Sequence, residues 1–156
     1  MNIIASEFFE FRNACSLLYK EEEFSKDIIE SEYLIPYIVN GSFCIELGLK
    51  AIHKENNKPI KGHSLFMLFD KLDDIEKELL LEKVVSQGNS IDDSLNGLEE
   101  MMKVIDLNFI NWRYFYEHKE AIGTNWLFIH DLIESIAMRF GKEFGLFVKD
   151  KLGLNS

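Results

Sequence analysis

The chain is poor in the residues that punctuate sheets and linkers. Its 156 residues include two prolines and nine glycines, too few turn formers for a sandwich of short strands or a linker-rich array. There are two cysteines, Cys15 and Cys44, so a scaffold built on disulfides is excluded. Both fall among apolar helical neighbours and read as buried free thiols rather than one bridge. Long apolar runs are missing as well. The longest uncharged stretch, Tyr33–Ile45, is short for a bilayer span and contains Pro36, Asn40 and Gly41, so no membrane segment is expected. No basic segment followed by an apolar run opens the chain, which leads to the expectation of a cytoplasmic protein without a secretory signal.

Positive charge is also in deficit. Seventeen Lys and Arg face twenty-seven Asp and Glu, for a formal charge of −10. Such a surface is repelled by anionic membranes and does not attract nucleic acid as a whole. Contact with RNA would need a local basic site or a basic partner.

What is abundant is apolar and aromatic. The chain is 47% hydrophobic and 28% charged, with thirteen phenylalanines, enough for one packed core in a single domain over residues 1–156. Ile4, Phe8, Phe11, Cys15 and Leu18 recur at three or four residues and predict a first helix. The acidic run Glu21–Glu23 reads as a solvated helix end, and a short amphipathic piece follows around Phe24–Leu34. Pro36 suits the first turn of a second helix running to about Lys54. Gly41 and Gly48 fall seven apart on one face of it, predicting close approach of another helix.

After the loop Glu55–Gly62, Ser64 is placed to cap a helix through Leu65, Leu68, Phe69 and Leu72. Asp73 and Asp74 open a charged helix ending near Gly88, and Ser90-Ile91-Asp92-Asp93 reads as a capping box. Ile91, Leu95, Leu98, Met102, Ile105, Phe109, Trp112 and Tyr116 then keep helical spacing, with a bend expected near Asp106-Leu107-Asn108. Gly123 and Thr124 interrupt the pattern. A last helix from about Asn125 carries Ile129, Leu132, Ile136, Phe140, Phe144 and Phe147. No alternating strand pattern competes, so the fold class is all-α, a bundle of about five helices.

No phosphate loop, nucleophile elbow or His-Glu-x-x-His motif is present, and the four histidines share no metal-ligand spacing. Neither a metal nor a cofactor is expected. Glu46 interrupts the apolar run Phe43–Leu49, where a carboxylate needs a partner. Lys50, one turn later, would supply an intrahelical pair; a functional role is the other reading. His63, directly after Gly62, reads as a loop histidine bonded to backbone. The densest chemistry is Arg113-Tyr114-Phe115-Tyr116-Glu117-His118. A guanidinium grips phosphate through paired donors, and an imidazole moves protons near neutral pH. Residues five apart on a helix diverge by about 140°, so Arg113 and His118 do not meet on one regular helix. Arg113 could equally pair with Glu117.

Three segments together resemble the HEPN family (higher eukaryotes and prokaryotes nucleotide-binding). Phe43-Cys44-Ile45-Glu46-Leu47-Gly48-Leu49-Lys50-Ala51-Ile52 is similar to its Glu-x-x-Leu-Lys-Ala-type helix. Lys61-Gly62-His63-Ser64-Leu65-Phe66-Met67-Leu68-Phe69 is similar to its Gly-His turn and following helix. Arg113 and His118 match its Arg-x4-6-His pattern at the shortest spacing, with Tyr114 where the family often has Asn, Asp or His. The resemblance implies an antiparallel helical bundle and a homodimer whose interface pools Arg113 and His118. It further implies metal-independent cleavage of RNA, or else a non-catalytic dimerisation, partner-binding or nucleotide-binding module. Tyr114, Tyr116, Glu117, Glu46, Lys50 and His63 would support the site. An antitoxin, in some members nucleotidyltransferase-like, is the implied partner.

Overall fold

The computed structural model describes residues 2–21, 33–88, 94–110 and 126–141. Among them are six helices and no strand: α1 (Ile3–Glu21), α2 (Leu34–Glu55), α3 (Leu65–Asp70), α4 (Asp74–Ser86), α5 (Leu95–Ile110) and α6 (Trp126–Arg139). The all-α reading holds. The expected separation of the Ser64-capped helix from the one opened at Asp73 and Asp74 holds: α3 stops at Asp70 and α4 starts at Asp74, with Asp73 as its N-cap residue.

Local chemistry accounts for the helix ends. Asn2 Oδ1 accepts a hydrogen bond from Ala5 N at 2.8 Å, satisfying one of the free amides at the start of α1. At the end of α2, Asn57 adopts a left-handed φ of 58°. Lys58 N then donates to His53 O at 2.9 Å and Asn57 N to Lys54 O at 3.1 Å, the two bonds of a Schellman ending. Ser64 caps α3 as its position suggests, accepting from Met67 N at 3.2 Å. The cap of α5 is Ser94, which accepts from Gly97 N at 2.9 Å. The proposed capping box at residues 90–93 lies outside the described residues. α5 runs through Asp106-Leu107-Asn108 and continues to Ile110.

α2 is the axis of the bundle. Tyr37, Ile38, Cys44, Ile45, Leu49, Ala51 and Ile52 are all buried, so it is covered on most of its circumference. α1 lies antiparallel to it: Asn2 Nδ2 donates to Ala51 O at 3.3 Å, and the Phe11 and Phe43 rings meet at 6.3 Å. The buried stripe of α1 is Ala5, Phe8, Phe9 and Cys15, with Ile4, Phe11 and Leu18 only partly buried. The expected stripe is therefore rotated by a small angle.

On the glycine face α2 meets α6. A Cβ at Gly41 would stand 2.6 Å from Ile129 Cγ2, and one at Gly48 would stand 2.7 Å from Ile136 Cγ2. Two seven-residue steps thus match, glycine to isoleucine, and the two helices run in the same direction. α4 closes the other side of α6, where Gln87 Nε2 donates to Asp131 O at 2.7 Å and to Ser135 Oγ at 2.8 Å. Arg139 ties three helices at one end, gripping Glu76 through Nε (2.9 Å) and Nη2 (2.8 Å) and Glu55 through Nη1 (2.9 Å). No described helix is long and apolar enough to cross a membrane.

Candidate functional site

Residues 63 to 65 form the most chemically constrained stretch among the described residues. Gly62 holds a φ of +118°, and a Cβ there would touch nothing, so the position favours glycine for backbone reasons alone. The turn it makes carries the next residue back toward α2. His63 Nδ1 comes to 2.9 Å from Glu46 Oε1, while Lys50 Nζ donates to the same oxygen at 2.6 Å.

On the other side of the loop, Ser64 Oγ donates to Asp106 Oδ2 at 2.7 Å, and Leu65 N donates to Asp106 Oδ1 at 2.8 Å. Three consecutive residues therefore bind carboxylates on two different helices. The imidazole is tethered to α2 and the backbone after it to α5.

The two halves of the Glu46 cluster differ in environment. The Glu46 side chain is 7% exposed and that of Lys50 19%. Removing Lys50 leaves the buried Glu46 carboxylate without its closest cation, whereas removing Glu46 leaves Lys50 partly in water. The first change should therefore cost more, toward the roughly 3–5 kcal/mol of a fully buried pair. The intrahelical pairing expected of Glu46 and Lys50 is thus present. The His63 side chain is 83% exposed, and an exposed pair contributes only about 0.2–1 kcal/mol. The expected backbone bond of His63 gives way to this side-chain contact seventeen residues away. Glu46 Oε2 is buried and has no hydrogen-bond partner among the described residues, a costly state for a carboxylate oxygen.

The strongest sequence candidates lie elsewhere. Arg113, Tyr114, Tyr116, Glu117 and His118 fall outside the described residues. Of the eight residues singled out, the structure brings together Glu46, Lys50 and His63. It adds Asp106, which sequence reasoning treated only as a bend. Its one local signal was an acidic side chain beside the buried positions Met102 and Ile105.

A second polar feature is a cavity of about 110 Å³ between α1, α2 and α6, lined by Arg12, Cys15, Ser16, Tyr37, His130, Ile133 and Glu134. Its guanidinium is already engaged: Arg12 Nε and Nη2 reach Glu134 Oε1 and Oε2 at 3.0 and 2.8 Å. Burial pushes the Cys15 thiol up to about 12, so it stays protonated and a weak nucleophile at neutral pH. Arg12 and Cys15 are therefore committed to the structure. Both cysteines are buried and free. No three His, Cys, Asp or Glu side chains converge as a metal site among the described residues.

The chain's likeness to other proteins adds no constraint on this site, since no family model, curated protein or solved structure matches it.

Proposed function

We propose that the chain is a HEPN-like helical module that cleaves RNA as a homodimer, without a metal ion. The supporting observation is the 2.9 Å contact of Glu46 Oε1 with His63 Nδ1. It joins the Glu-bearing segment of α2 to the Gly-His turn, two of the three segments that carry the resemblance. In this reading Arg113 holds the scissile phosphate through its paired donors, and His118 transfers a proton. Tyr114 or Tyr116 adds a hydroxyl contact, and two chains pool their Arg113 and His118 groups. The 2′-oxygen attacks phosphorus and the P–O5′ bond breaks, giving a 2′,3′-cyclic phosphate and a 5′-hydroxyl. An antitoxin or nucleotidyltransferase-like protein is the controlling partner.

The test is cleavage of varied RNAs by the purified protein in EDTA, with product ends identified by mass spectrometry and oligomeric state by light scattering. Wild type should be a dimer that leaves cyclic phosphate ends, and Arg113→Ala and His118→Ala should each lower the rate at least about 100-fold. Equal activity in wild type and both variants would sink the proposal.

The competing reading is a non-catalytic HEPN-like module for dimerisation, partner binding or nucleotide binding. The 2.6 Å Glu46–Lys50 pair favours it, because it gives the buried carboxylate a purely structural role. A native dimer inert on every RNA would decide for this alternative.

A further inference from the structure

We propose that the exposed face of α2 and the loop after it form a track for single-stranded RNA. Lys54 and Lys61 take its phosphates, and a base stacks on Phe43. The choice of RNA as the polyanion rests on the ribonuclease reading; the track itself rests on where charge and ring surface fall.

Cationic surface is scarce in this chain, yet it gathers here. Between Lys50 and His63 four lysines stand against one glutamate, in a chain with twenty-seven acids and seventeen Lys and Arg. Three acids beside the stretch are each matched within the protein. Glu46 holds Lys50 at 2.6 Å, Glu55 holds Arg139 at 2.9 Å, and Asp73 holds Lys58 at 2.7 Å. Lys54 and Lys61 are exposed and pair with no carboxylate among the described residues.

The fold keeps these two lysines near each other. Lys54 lies one turn beyond Lys50 on the same face of α2. His63 reaches back to Glu46 Oε1, the oxygen that Lys50 occupies. Lys61 precedes His63 by two residues, so their Cα atoms are within about 7 Å.

Along α2 the charge gives way to ring surface. Lys54, Lys50, Leu47 and Phe43 follow one another at steps of three or four residues, one helix face. Phe43 stays 43% exposed while its ring meets Phe11 at 6.3 Å. Eleven residues of helix set Phe43 about 16 Å from Lys54, a distance that a few nucleotides of extended strand cover. Single-stranded nucleic acid is bound by this pairing: bases stack on aromatic rings while cations follow the backbone. An anionic bilayer fits less well, since two unmatched lysines fall short of the roughly four to eight that hold a protein to such lipids.

The test is fluorescence anisotropy of a labelled, uncleavable 2′-O-methyl single-stranded RNA with the full chain across a range of salt concentrations. Wild type should bind, with log K falling as log salt rises. Combining Lys54→Ala with Lys61→Ala should make that slope shallower by about 1.4. Lys83→Ala, near the opposite end of α4 from Asp73, should leave the slope as it is. Phe43→Leu keeps an apolar side chain there and should weaken binding at least about fivefold without changing the slope. Circular dichroism melts establish that each variant is folded. An unchanged slope in the double lysine variant overturns the proposal, as does a Phe43→Leu chain that binds like wild type. So does a wild type that ignores the oligonucleotide, whether or not it sediments with phosphatidylserine vesicles. Cleavage of RNA in EDTA with the same KM in wild type and all these variants removes the track and leaves the ribonuclease reading. Lysine-dependent binding by a wild type that cleaves nothing keeps the track and removes that reading.

Discussion

Gly48 lies so close to Ile136 that a Cβ at position 48 would stand 2.7 Å from Ile136 Cγ2 and 2.9 Å from Phe8 Cδ2. Alanine would gain about 1 kcal/mol in helix propensity. Overpacking between two fully buried side chains costs about 1–3 kcal/mol and should win. Gly48→Ala is expected to lower the thermal midpoint by several degrees. Combining it with Ile136→Ala should destabilise by less than the two single changes added together, which a double-mutant cycle of thermal melts would read directly.

Asp106 and Ser64 act as one unit at the start of α3. Ser64→Ala removes a cap worth about 1 kcal/mol. Asp106→Ala leaves Leu65 N and Ser64 Oγ without their acceptor, for about 1–3 kcal/mol. The double variant should cost clearly less than the sum, because both remove the 2.7 Å bond between them. Urea unfolding of the four proteins measures this, and strict additivity would contradict it.

Burial pushes the Glu76 carboxyl up, but hydrogen bonds from Arg139 and Asn56, with the Arg139 charge, outweigh that and hold it below its ordinary 4.5. Its folded pKa is lower than its unfolded one, so the unfolded chain binds more protons between the two values. Stability from this group is therefore complete above about pH 4.5 and is lost as pH falls through the folded pKa. Glu76→Gln should be less stable than wild type at pH 7, and the gap should narrow toward pH 3 in denaturant titrations.

Cys15 is pushed up to about 12 by burial, and burial, first among several causes, raises Cys44 well above its ordinary value too. Cys44 Sγ also donates to Phe8 O at 3.5 Å. Neither thiol should react with a colorimetric disulfide reagent at pH 8 on a timescale of minutes. Denaturant should release two equivalents together, at a rate set by unfolding.

The parts legible in the sequence were those written within one helix. Apolar periodicity located α1, α2 and α6, Ser64 announced its cap, and Glu46 and Lys50 found each other across one turn. Gly41 and Gly48 announced a close neighbour, although not that Ile129 and Ile136 supply it. What stayed hidden was the pairing of residues far apart in the chain. Arg139 with Glu76 and Glu55, Arg12 with Glu134, and Asp106 with Ser64 depend on how helices slide and rotate against one another, and helical periodicity does not encode that offset. His63 shows the boundary most clearly. Its residue type and its glycine neighbour marked it, but the partner that gives it a direction sits on another helix.

The matched glycines and isoleucines also bear on how the chain comes to its native state. The groove on α2 is made early in synthesis, and what fills it is α6, made far later. Until that segment emerges, an apolar trough along α2 stays open to water and to other chains. α1, whose Phe8 reaches the groove at Gly48 but not at Gly41, can shield the helix only in part during that interval. A delay in releasing α6 should thus leave a species prone to association, and a mutation at Ile129 or Ile136 should prolong its life more than an equal loss of stability within α1.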